Sequence, residues 1–375
     1  MALNQVGLER LNTATTKKIG QSKNLIINGD MQVAQRGTSS TTSGYATVDR
    51  YSNEYAGADE APTQAQVDVA SGTTPYTLGF RKAVKITNGN QTSGAGTTDL
   101  AVVKQIIEAQ DIASSGWNYL SASSKITLSF WVKSSVAQVF SGNLRTFDGT
   151  AYVYKFDTAS LSADTWTKVT KTIPGNSNLT FNNDNGQGLV FHIYPFIGTN
   201  YTTSNSDTET WLAASSANYA NDMTSTWWTT NDSTFEVTGL QLEVGSVATD
   251  FEHRSFAQEL ALCQRYFYQH LIGASKPVMN FVGFSSSGMY GAFQLPQEMR
   301  ANPSIVQTTG TNYYSAYHQA GQVENFDGFN SIVWSGKRTI IVDAQTAQNL
   351  SIGTNQGLWA VSQNAGAALA FSAEL

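Results

Sequence analysis

The chain has 375 residues, a formal net charge of −6 at pH 7 and only 13% charged residues, against a usual value of about 25%. This acidic balance, without a cluster of Lys and Arg, excludes nucleic acid as the main partner, because phosphate backbones are bound by concentrated positive charge. No stretch reaches the ~18 consecutive apolar residues of a transmembrane helix, so we expect no membrane span, and the single cysteine excludes an internal disulfide.

The length favours two folded domains, and the composition favours β-structure. Single cores rarely grow beyond about 250 residues. Ser, Thr, Asn, Gln and Gly stand where Lys and Glu would normally be, which leaves few helix formers and many strand and turn formers. We predict a mainly β fold with an N-terminal attachment arm (1–23), an antiparallel β-sandwich of jelly-roll type (24–251), a connecting helix (252–272) and a C-terminal β-sandwich domain (273–375).

The first 23 residues are polar with scattered apolar positions, and they are too short to bury a core of their own. They form either a frayed terminus or an arm that docks on a neighbouring subunit, and we predict the arm. They lack the apolar run of a signal peptide, so we expect a product that is made in a cytosol.

Residues 24–251 show a succession of short alternating strands. Leu25–Ile27 open the series ahead of a turn-prone Asn-Gly-Asp tripeptide. Apolar and other residues alternate along Ile126–Val132, and the same pattern recurs at Tyr152–Phe156 and Leu189–Ile193, which places one apolar face on each strand. The phase of the alternation changes at Gly239, where we predict a β-bulge.

A polar segment, Gly198–Thr234, interrupts this pattern. It is rich in Asn, Ser, Thr and Asp and carries Trp211, Trp227 and Trp228. A connection of this length without clear strands is usually functional or mobile. Because indole faces stack on the apolar faces of sugar rings, the three tryptophans and the Asn and Asp residues around them form a candidate carbohydrate-binding site. Packing in the core is the alternative.

One convincing helix follows the sandwich. Ser255 and Gln258 fit a capping box, which predicts that the helix begins there. An apolar seam with alternating spacings of four and three then consists of Phe256, Leu260, Cys263 and Phe267. The seam predicts either packing on its own domain or the axis of a symmetric homotrimer. Cys263 lies on this seam, which favours a small core residue over a nucleophile.

The last segment returns to β-structure. Its candidate strands are Val278–Phe284, Met289–Leu295, Ile305–Thr308, Ser331–Trp334, Thr339–Asp343, Leu358–Val361 and Ala368–Phe371. Because the last strand ends close to the C-terminus, we expect that terminus to be tied into a sheet. A second candidate carbohydrate site consists of Tyr313, Tyr314, Tyr317 and His318. Aromatic residues on loops at the tip of a β-scaffold are a common means of recognition.

Little in the sequence favours catalysis. The four histidines are widely separated, and a single cysteine gives no zinc-binding spacing. Gly283–Gly288 is similar to a nucleophile elbow, but Ser287 stands where the second glycine is needed. Four acids of the polar segment are candidates for a hydrolytic pair, although such residues more often make turns: Asp207, Glu209, Asp222 and Asp232. We predict no enzyme.

We predict no cofactor either. Asp30 and Glu243 lie on predicted terminal strands that are neighbours in a jelly roll, and calcium prefers such oxygen ligands. Two acids are too few to predict a calcium site.

Several segments resemble parts of bacteriophage virion proteins. Asn24–Gly37 (NLIINGDMQVAQRG), followed by Val48–Tyr51 (VDRY), resembles the opening of a β-domain of phage tail fibres, and Gly239–Glu252 resembles its closing strand. Ser255–Tyr266 is similar to the short helix that often follows that domain. Leu295–Pro303 is similar to a P-x-x-M-R-x-x-P element of the next domain.

The resemblance implies a virion component whose first domain is a jelly roll like a carbohydrate-binding module. It implies a chain that usually forms trimers and a C-terminal domain that faces the host. The opening 23 residues also resemble fibre-type proteins of phages that infect marine bacteria, including cyanobacteria.

We therefore expect a tail fibre that is assembled in the bacterial cytoplasm and carried on the virion. It would attach to other tail or virion proteins through its arm, and it would bind a host-surface glycan or lipopolysaccharide through several weak contacts at once. The alternatives are a head-attached fibre or capsid decoration protein, a polysaccharide depolymerase tailspike, and a free-standing bacterial carbohydrate-binding protein.

Overall fold

The structure is a computed structural model that describes residues 23–203, 208–318, 321–345, 352 and 357–375. The described chain forms two compact units. Unit 1 contains residues up to 32 together with Thr38–Arg254, and unit 2 contains Val33–Gly37 together with Ser255–Leu375. Most of the predicted arm, residues 1–22, lies outside the described residues. The predicted connecting segment, 252–272, is divided between the units, and its helix belongs to unit 2.

Unit 1 is an antiparallel β-sandwich of two six-stranded sheets. Its strands are β1 (Ser39–Ser40), β2 (Ser52–Ala56), β3 (Thr63–Asp68), β4 (Lys82–Thr87), β5 (Leu100–Glu108), β6 (Lys125–Ser134), β7 (Ser141–Thr146), β8 (Tyr152–Asp157), β9 (Thr167–Pro174), β10 (Gln187–Ile197), β11 (Thr202–Thr203), β12 (Trp211–Ala213), β13 (Ala220–Asn221) and β14 (Thr234–Val244). Sheet A has the order β1-β3-β4-β14-β6-β9, and sheet B has the order β12-β8-β7-β10-β5-β2. The prediction of a mainly β, jelly-roll-like sandwich is confirmed.

Short helical elements connect some of these strands. They are the α-helices α1 (Thr74–Thr77), α2 (Ala109–Ala113) and α3 (Thr226–Thr229) and the 3-10 turns Thr199–Tyr201 and Ser216–Asn218. Strands β11 and β13 form a small parallel pair within the polar segment. Strand β12 also lies in this segment. The segment that was predicted to be irregular therefore contains three short strands, β11, β12 and β13.

Strand alternation decides which side chains enter the core of unit 1. On β6 the side chains of Ile126, Leu128, Phe130 and Val132 are fully buried between the sheets, as the pattern predicts. Each contributes roughly 1.5–3 kcal/mol through burial. The bulge predicted at Gly239 is also confirmed, because the ladder between β14 and β6 shifts register there and the residue adopts φ +63°.

The opening segment Leu25–Ile27 is not a strand, so this prediction is wrong. The backbone N–H of Leu25 donates to the carbonyl of Leu242 at 2.9 Å, but no ladder follows. Instead, Asn24 Oδ1 accepts hydrogen bonds from the N–H groups of Ile26 and Leu242, both at 3.0 Å. One buried side chain thus supplies the pairing that a regular strand would have supplied.

Unit 2 contains a three-stranded and a seven-stranded antiparallel sheet around a shared core. Its strands are β15 (Phe267–Ile272), β16 (Pro277–Ser285), β17 (Gly288–Gln294), β18 (Ser304–Thr308), β19 (Tyr314–Tyr317), β20 (Val323–Phe326), β21 (Ser331–Ser335), β22 (Thr339–Gln345), β23 (Gly357–Ser362) and β24 (Ala368–Ser372). The orders are β15-β24-β18 and β20-β19-β23-β16-β17-β22-β21. All seven predicted strands are present, and β15, β19 and β20 are additional.

Helix α4 (Phe256–Gln264) begins with the predicted capping box of Ser255 and Gln258. It ends before Phe267, which is the first residue of β15, so the predicted seam of Phe256, Leu260, Cys263 and Phe267 is not one helical face. Phe256 is 54% exposed, whereas Cys263 is fully buried. The helix therefore packs on its own unit through Glu259 and Cys263. A homotrimer remains a prediction that no contact of this single chain tests.

Candidate functional site

The three tryptophans predicted to bind carbohydrate are core residues of unit 1. Trp227 and Trp228 are fully buried, and Trp211 is 7% exposed. Their indole N–H groups donate to backbone carbonyls, with Trp211 bonded to Pro174 at 2.7 Å, Trp227 to Thr234 at 3.1 Å and Trp228 to Gly94 at 3.0 Å. Because their ring faces are enclosed, these side chains present no surface on which a sugar could stack.

In the predicted tyrosine cluster of unit 2, Tyr314 and Tyr317 lie on strand β19 and point to opposite faces, while Tyr313 and His318 flank the strand. Tyr314 is fully buried, and its hydroxyl donates to the carbonyl of Ala368 at 3.0 Å. Tyr313, Tyr317 and His318 are half-buried. The Tyr314 prediction is therefore wrong, since its ring belongs to the core.

Tyr317 belongs instead to an exposed aromatic face of the seven-stranded sheet. Its ring stacks on Trp359 with centroids 4.3 Å apart, and Phe284 stacks on Tyr290 with centroids 4.0 Å apart. At these distances each ring covers a face of its neighbour. The stacked pairs therefore leave less ring surface for a ligand than separate rings would.

A cleft of about 200 Å³ opens on the face of sheet B that points away from the core. Alternation along β10 explains it: Phe191 and Ile193 enter the core, so His192 and Tyr194 face the opposite side. The polar and aromatic side chains that line the cleft are Glu54, Lys104, Arg145, His192, Tyr194, Tyr201 and Tyr219. Val102 and Ile197 add an apolar part to its lining.

Two tyrosines of the polar segment lie in this cleft. The rings of Tyr201 and Tyr219 are nearly parallel, with 7° between their planes and 6.3 Å between their centroids. The backbone holds them together, because the N–H of Tyr219 donates to the carbonyl of Tyr201 at 2.9 Å. Asn143 of β7 donates to the carbonyl of Tyr219 at 2.7 Å. The two rings are thus fixed to sheet B before any ligand arrives.

Charged groups complete the lining of the cleft. Lys104 Nζ lies 2.6 Å from Glu54 Oε1, so these two side chains neutralise each other. The guanidinium carbon of Arg145 lies 4.7 Å from the ring centroid of Tyr219 and 4.8 Å from that of Phe147. These distances are within the range of cation–π attraction, which holds the guanidinium against the aromatic rings.

His192 is a neutral hydrogen-bonding group of the cleft. Burial, with smaller contributions from the charges of Lys104 and Arg145, lowers its pKa to about 3. Its Nδ1 lies 2.8 Å from Asn143 Oδ1. Since the amide nitrogen of Asn143 donates to Tyr219, Oδ1 is the acceptor and the proton sits on Nδ1 of the imidazole. This tautomer leaves Nε2 as a hydrogen-bond acceptor.

The lowered pKa of His192 predicts acid sensitivity of unit 1. Below its ordinary pKa of 6.5 the unfolded chain takes up a proton that the folded chain accepts only near pH 3. The stabilisation is therefore complete above pH 6.5 and is lost as the pH falls toward 3, with a slope of at most ~1.4 kcal/mol per pH unit.

We expect the variant His192→Gln to show a smaller decrease in the free energy of unfolding between pH 6.5 and 4 than the unmodified protein. Chemical denaturation of unit 1 at a series of pH values measures this slope. An identical slope in the variant would assign the titration to another group.

Three of the four acids considered as a hydrolytic pair, Glu209, Asp222 and Asp232, lie in the described part of the chain. Asp207 lies outside the described residues, Glu209 forms an ion pair with Lys171 at 2.6 Å, and Asp222 accepts a hydrogen bond from Thr202. Asp232 follows α3 with φ +56°, which is typical of a turn. These acids therefore have structural partners or turn positions.

The two acids considered for calcium have different surroundings. Glu243 accepts hydrogen bonds from Gln241 and Thr249, while burial raises the pKa of Asp30. Within the part of the chain that the structure describes, no group of three or more His, Cys, Asp or Glu side chains could hold a metal ion. None of the described helices has the length and apolar character needed to cross a membrane.

The cleft takes two of its rings from the predicted polar segment, but these are Tyr201 and Tyr219 and not the three predicted tryptophans. Tyr201 and Tyr219 lie in the polar segment beside the three tryptophans, and nothing local distinguishes the exposed rings from the buried ones. His192 and Tyr194 could have been found, because they occupy the phase of β10 opposite to the predicted core residues. Large polar and aromatic residues at the β10 positions that point away from the core indicate a sheet face that binds a ligand or partner.

No protein-family model matches the sequence, and no curated protein matches it. Solved structures similar to this chain include the enzymatically active domain of tailspike protein 4 from bacteriophage CBA120, with a TM-score of 0.31 and 10% identity over 59% of this chain and 21% of that chain. The carbohydrate-binding and catalytic modules (CBM22-1 and GH10) of endo-1,4-beta-D-xylanase 10B from Clostridium thermocellum, in complex with xylohexaose, give a TM-score of 0.28 and 10% identity over 62% of this chain and 29% of that chain.

The N-terminal CBM22-1-CBM22-2 tandem domain of Xyn10C from Paenibacillus barcinonensis gives a TM-score of 0.25 and 8% identity, over 95% of this chain and 99% of that chain. This chain thus spans less than a third of the tailspike domain and of the Clostridium xylanase modules. The neighbours are carbohydrate-binding modules and a phage tailspike, and all of the TM-scores are low.

Proposed function

We propose that this protein is a tail fibre of a bacteriophage virion that binds a host-surface glycan or lipopolysaccharide without cleaving it, and that the cleft on sheet B is the binding site. The observation that carries the proposal is the fixed pair of parallel tyrosine rings, Tyr201 and Tyr219, beside polar groups in an open cleft.

The chemistry of the cleft suits a sugar. The rings of Tyr201 and Tyr219 supply flat apolar surface for the C–H face of a pyranose. His192 Nε2 supplies an acceptor, and Arg145 and Lys104 supply donors for hydroxyl groups. The volume of about 200 Å³ is smaller than the ~300–1,000 Å³ typical of pockets for drug-sized ligands. The cleft therefore suits a short segment of a longer glycan chain.

Binding without hydrolysis is supported by the ionisable groups of the cleft. Most glycosidases need two carboxyl groups roughly 5–10 Å apart. Glu54 is the one carboxylate among the described residues that line the cleft, and Lys104 is its ion-pair partner. A depolymerase would release reducing ends from the polysaccharide that it binds. We expect no such release.

A small cleft gives weak affinity, so the virion is expected to use several copies. Linked sites bind as one multivalent unit, which raises the overall affinity by about 10²–10⁴ without any new contact. A homotrimer attached to other tail or virion proteins through residues 1–23 would provide this arrangement. Immunogold labelling of intact virions with an antibody to residues 273–375 distinguishes the tail fibre from a head-attached fibre or capsid decoration protein, because the label marks either the tail or the capsid.

We expect Tyr219→Ala and Tyr201→Ala to weaken glycan binding about 3- to 10-fold each, since a stacked aromatic ring is worth roughly 0.5–1.5 kcal/mol beyond its buried area. Both rings are half-buried and pack beside the buried cluster that contains Val102 and Tyr194, so the variants should be folded with a lower thermal transition of unit 1, and binding is measured below that transition. A glycan array identifies a ligand, and affinity electrophoresis with that ligand measures the change.

Tyr219→Phe keeps the ring and should retain most of the affinity. Tyr76→Ala is the matched control, because Tyr76 is a half-buried tyrosine of α1 that does not line the cleft. Full affinity in both cleft variants would show that glycan is bound elsewhere.

A further inference from the structure

We infer that the cleft selects anionic glycans, meaning chains that carry carboxylate or sulfate groups, and that Arg145 binds the anion. This inference rests on the proposed function of the cleft as a glycan-binding site. It adds the chemical class of the ligand.

Arg145 projects into the cleft because of its position on β7. Its neighbour Leu144 is fully buried in the core, so alternation directs Arg145 to the opposite face of sheet B. Within the described part of the chain, no carboxylate forms an ion pair with its guanidinium, and Nε is buried without a hydrogen-bond partner. Its contacts are the rings of Phe147 and Tyr219. The guanidinium is thus held in place with hydrogen-bond donors still to be satisfied.

The second cation of the cleft is arranged differently. Lys104 lies 2.6 Å from Glu54, and the serine hydroxyl of Ser52 also donates to Glu54 at 2.9 Å. These two opposite charges therefore cancel within the cleft. Since the pKa of His192 lies far below neutrality, its imidazole adds no charge. Among the described side chains that line the cleft, Arg145 is left as the uncompensated charge.

This local positive charge stands on an acidic protein. The formal net charge of the chain is −6, so the protein as a whole does not attract an anionic polymer. The uncompensated guanidinium of Arg145 therefore supplies a local attraction that the net charge does not. Guanidinium groups also match carboxylates and sulfates geometrically, because two parallel N–H groups can donate to two oxygens of the same anion.

The aromatic ring of Tyr219 contacts Arg145 and also belongs to the tyrosine pair on which a sugar would stack. Tyr219 contacts the guanidinium at 4.7 Å and also forms the parallel pair with Tyr201. A sugar stacked on the tyrosine pair would therefore bring its ring substituents close to the N–H groups of Arg145. A uronic acid or a sulfated sugar places its anion on such a substituent.

The test uses pairs of ligands that share a backbone and differ in charge: polygalacturonate with its methyl ester, and dextran sulfate with dextran. Affinity electrophoresis of the full chain is expected to show at least 10-fold tighter binding to the acidic member of one pair. That preference should weaken as salt is raised, because the contact is ionic. Arg145→Gln should remove the preference and leave residual binding to the backbone, while Arg145→Lys should keep part of it.

Arg81→Gln is the matched control, because Arg81 also lies over a tyrosine ring, that of Tyr76 at 4.0 Å, but does not line the cleft. Far-UV circular dichroism verifies that each variant is folded. Equal binding to both members of each pair, unchanged in Arg145→Gln, would overturn the inference and leave the proposed glycan-binding function standing. Absence of binding to all four polymers and to every glycan of an array would overturn both.

Discussion

Removal of residues 368–375 is expected to prevent unit 2 from folding. The deletion takes away β24, the central strand of the three-stranded sheet, and each of its five residues is paired with β15 on one side and with β18 on the other. Leu369 and Phe371 are fully buried. Loss of these two side chains alone costs roughly 5–10 kcal/mol, which is comparable with the total stability of a domain, about 5–15 kcal/mol.

The point variant Phe371→Ala is expected to lower the free energy of unfolding of unit 2 by about 3–5 kcal/mol, because the cavity that it leaves lies between two sheets. The ring of Phe371 packs 5.7 Å from that of Phe293 within this core. Chemical denaturation followed by circular dichroism measures the change. Val306→Ala on the adjacent strand β18 is the control, since Val306 is 47% exposed and should cost less than about 1 kcal/mol. A soluble truncated chain with a cooperative transition of unit 2 would contradict the assignment of β24 as a central strand.

The C-terminal residues are bound by Leu295–Pro303, the segment that contains the P-x-x-M-R-x-x-P element. Arg300, within the P-x-x-M-R-x-x-P element, donates from Nε to the carbonyl of Ala373 at 2.9 Å and from Nη2 to that of Glu374 at 3.0 Å. Met299 of this element is fully buried. The element therefore holds the end of the chain against unit 2. Its sequence could be recognised, but its partner lies about 70 residues away and could not be read from local pattern.

Strands with clear alternation were predictable from the sequence, and those without it were not. On β6 and β10 the large apolar residues recur at every second position, and this alternation of residue type gives a period of two even though most of the residues between them are also buried. β19 and β20 have four residues each, too few to establish a period. Leu25–Ile27 have the composition of a strand, but the side chain of Asn24 makes the hydrogen bonds that a ladder would have made. A side chain that replaces backbone pairing leaves no periodic signal.

The candidate site was predictable to the level of the segment but not of the side chain. Which aromatic residues face solvent depends on contacts between distant parts of the chain. The indole of Trp228 bonds to Gly94, 134 residues away, whereas the backbone of Tyr219 is held by Asn143, 76 residues away. Both residues lie in the same segment rich in Asn, Ser and Thr. The fold therefore decides which ring becomes core and which becomes surface.

Because Trp228 is buried, we expect Trp228→Ala to lower the stability of unit 1 and to leave glycan binding nearly unchanged. Its side chain is fully buried, its ring lies 5.2 Å from that of Phe196, and its carbonyl accepts a hydrogen bond from Asn88 at 2.6 Å. We expect a loss of about 3–5 kcal/mol in the free energy of unfolding of unit 1. Trp228→Phe keeps a ring but removes the N–H donor to Gly94, so a loss of roughly 1–3 kcal/mol is expected.

The decisive comparison sets Trp228→Ala against Tyr219→Ala in the same two measurements, unfolding of unit 1 and glycan affinity. Leu120→Ala, at a site that is 51% exposed, controls for side-chain removal as such and should change neither. Below its lowered transition temperature, folded Trp228→Ala should bind glycan with nearly unchanged affinity, while Tyr219→Ala should fold normally and bind weakly. The reverse pattern, with unchanged stability and lost binding in Trp228→Ala, would return the binding site to the tryptophans. It would also mean that the polar segment adopts another conformation in solution, because the enclosed indole of Trp228 has no free face to offer a sugar.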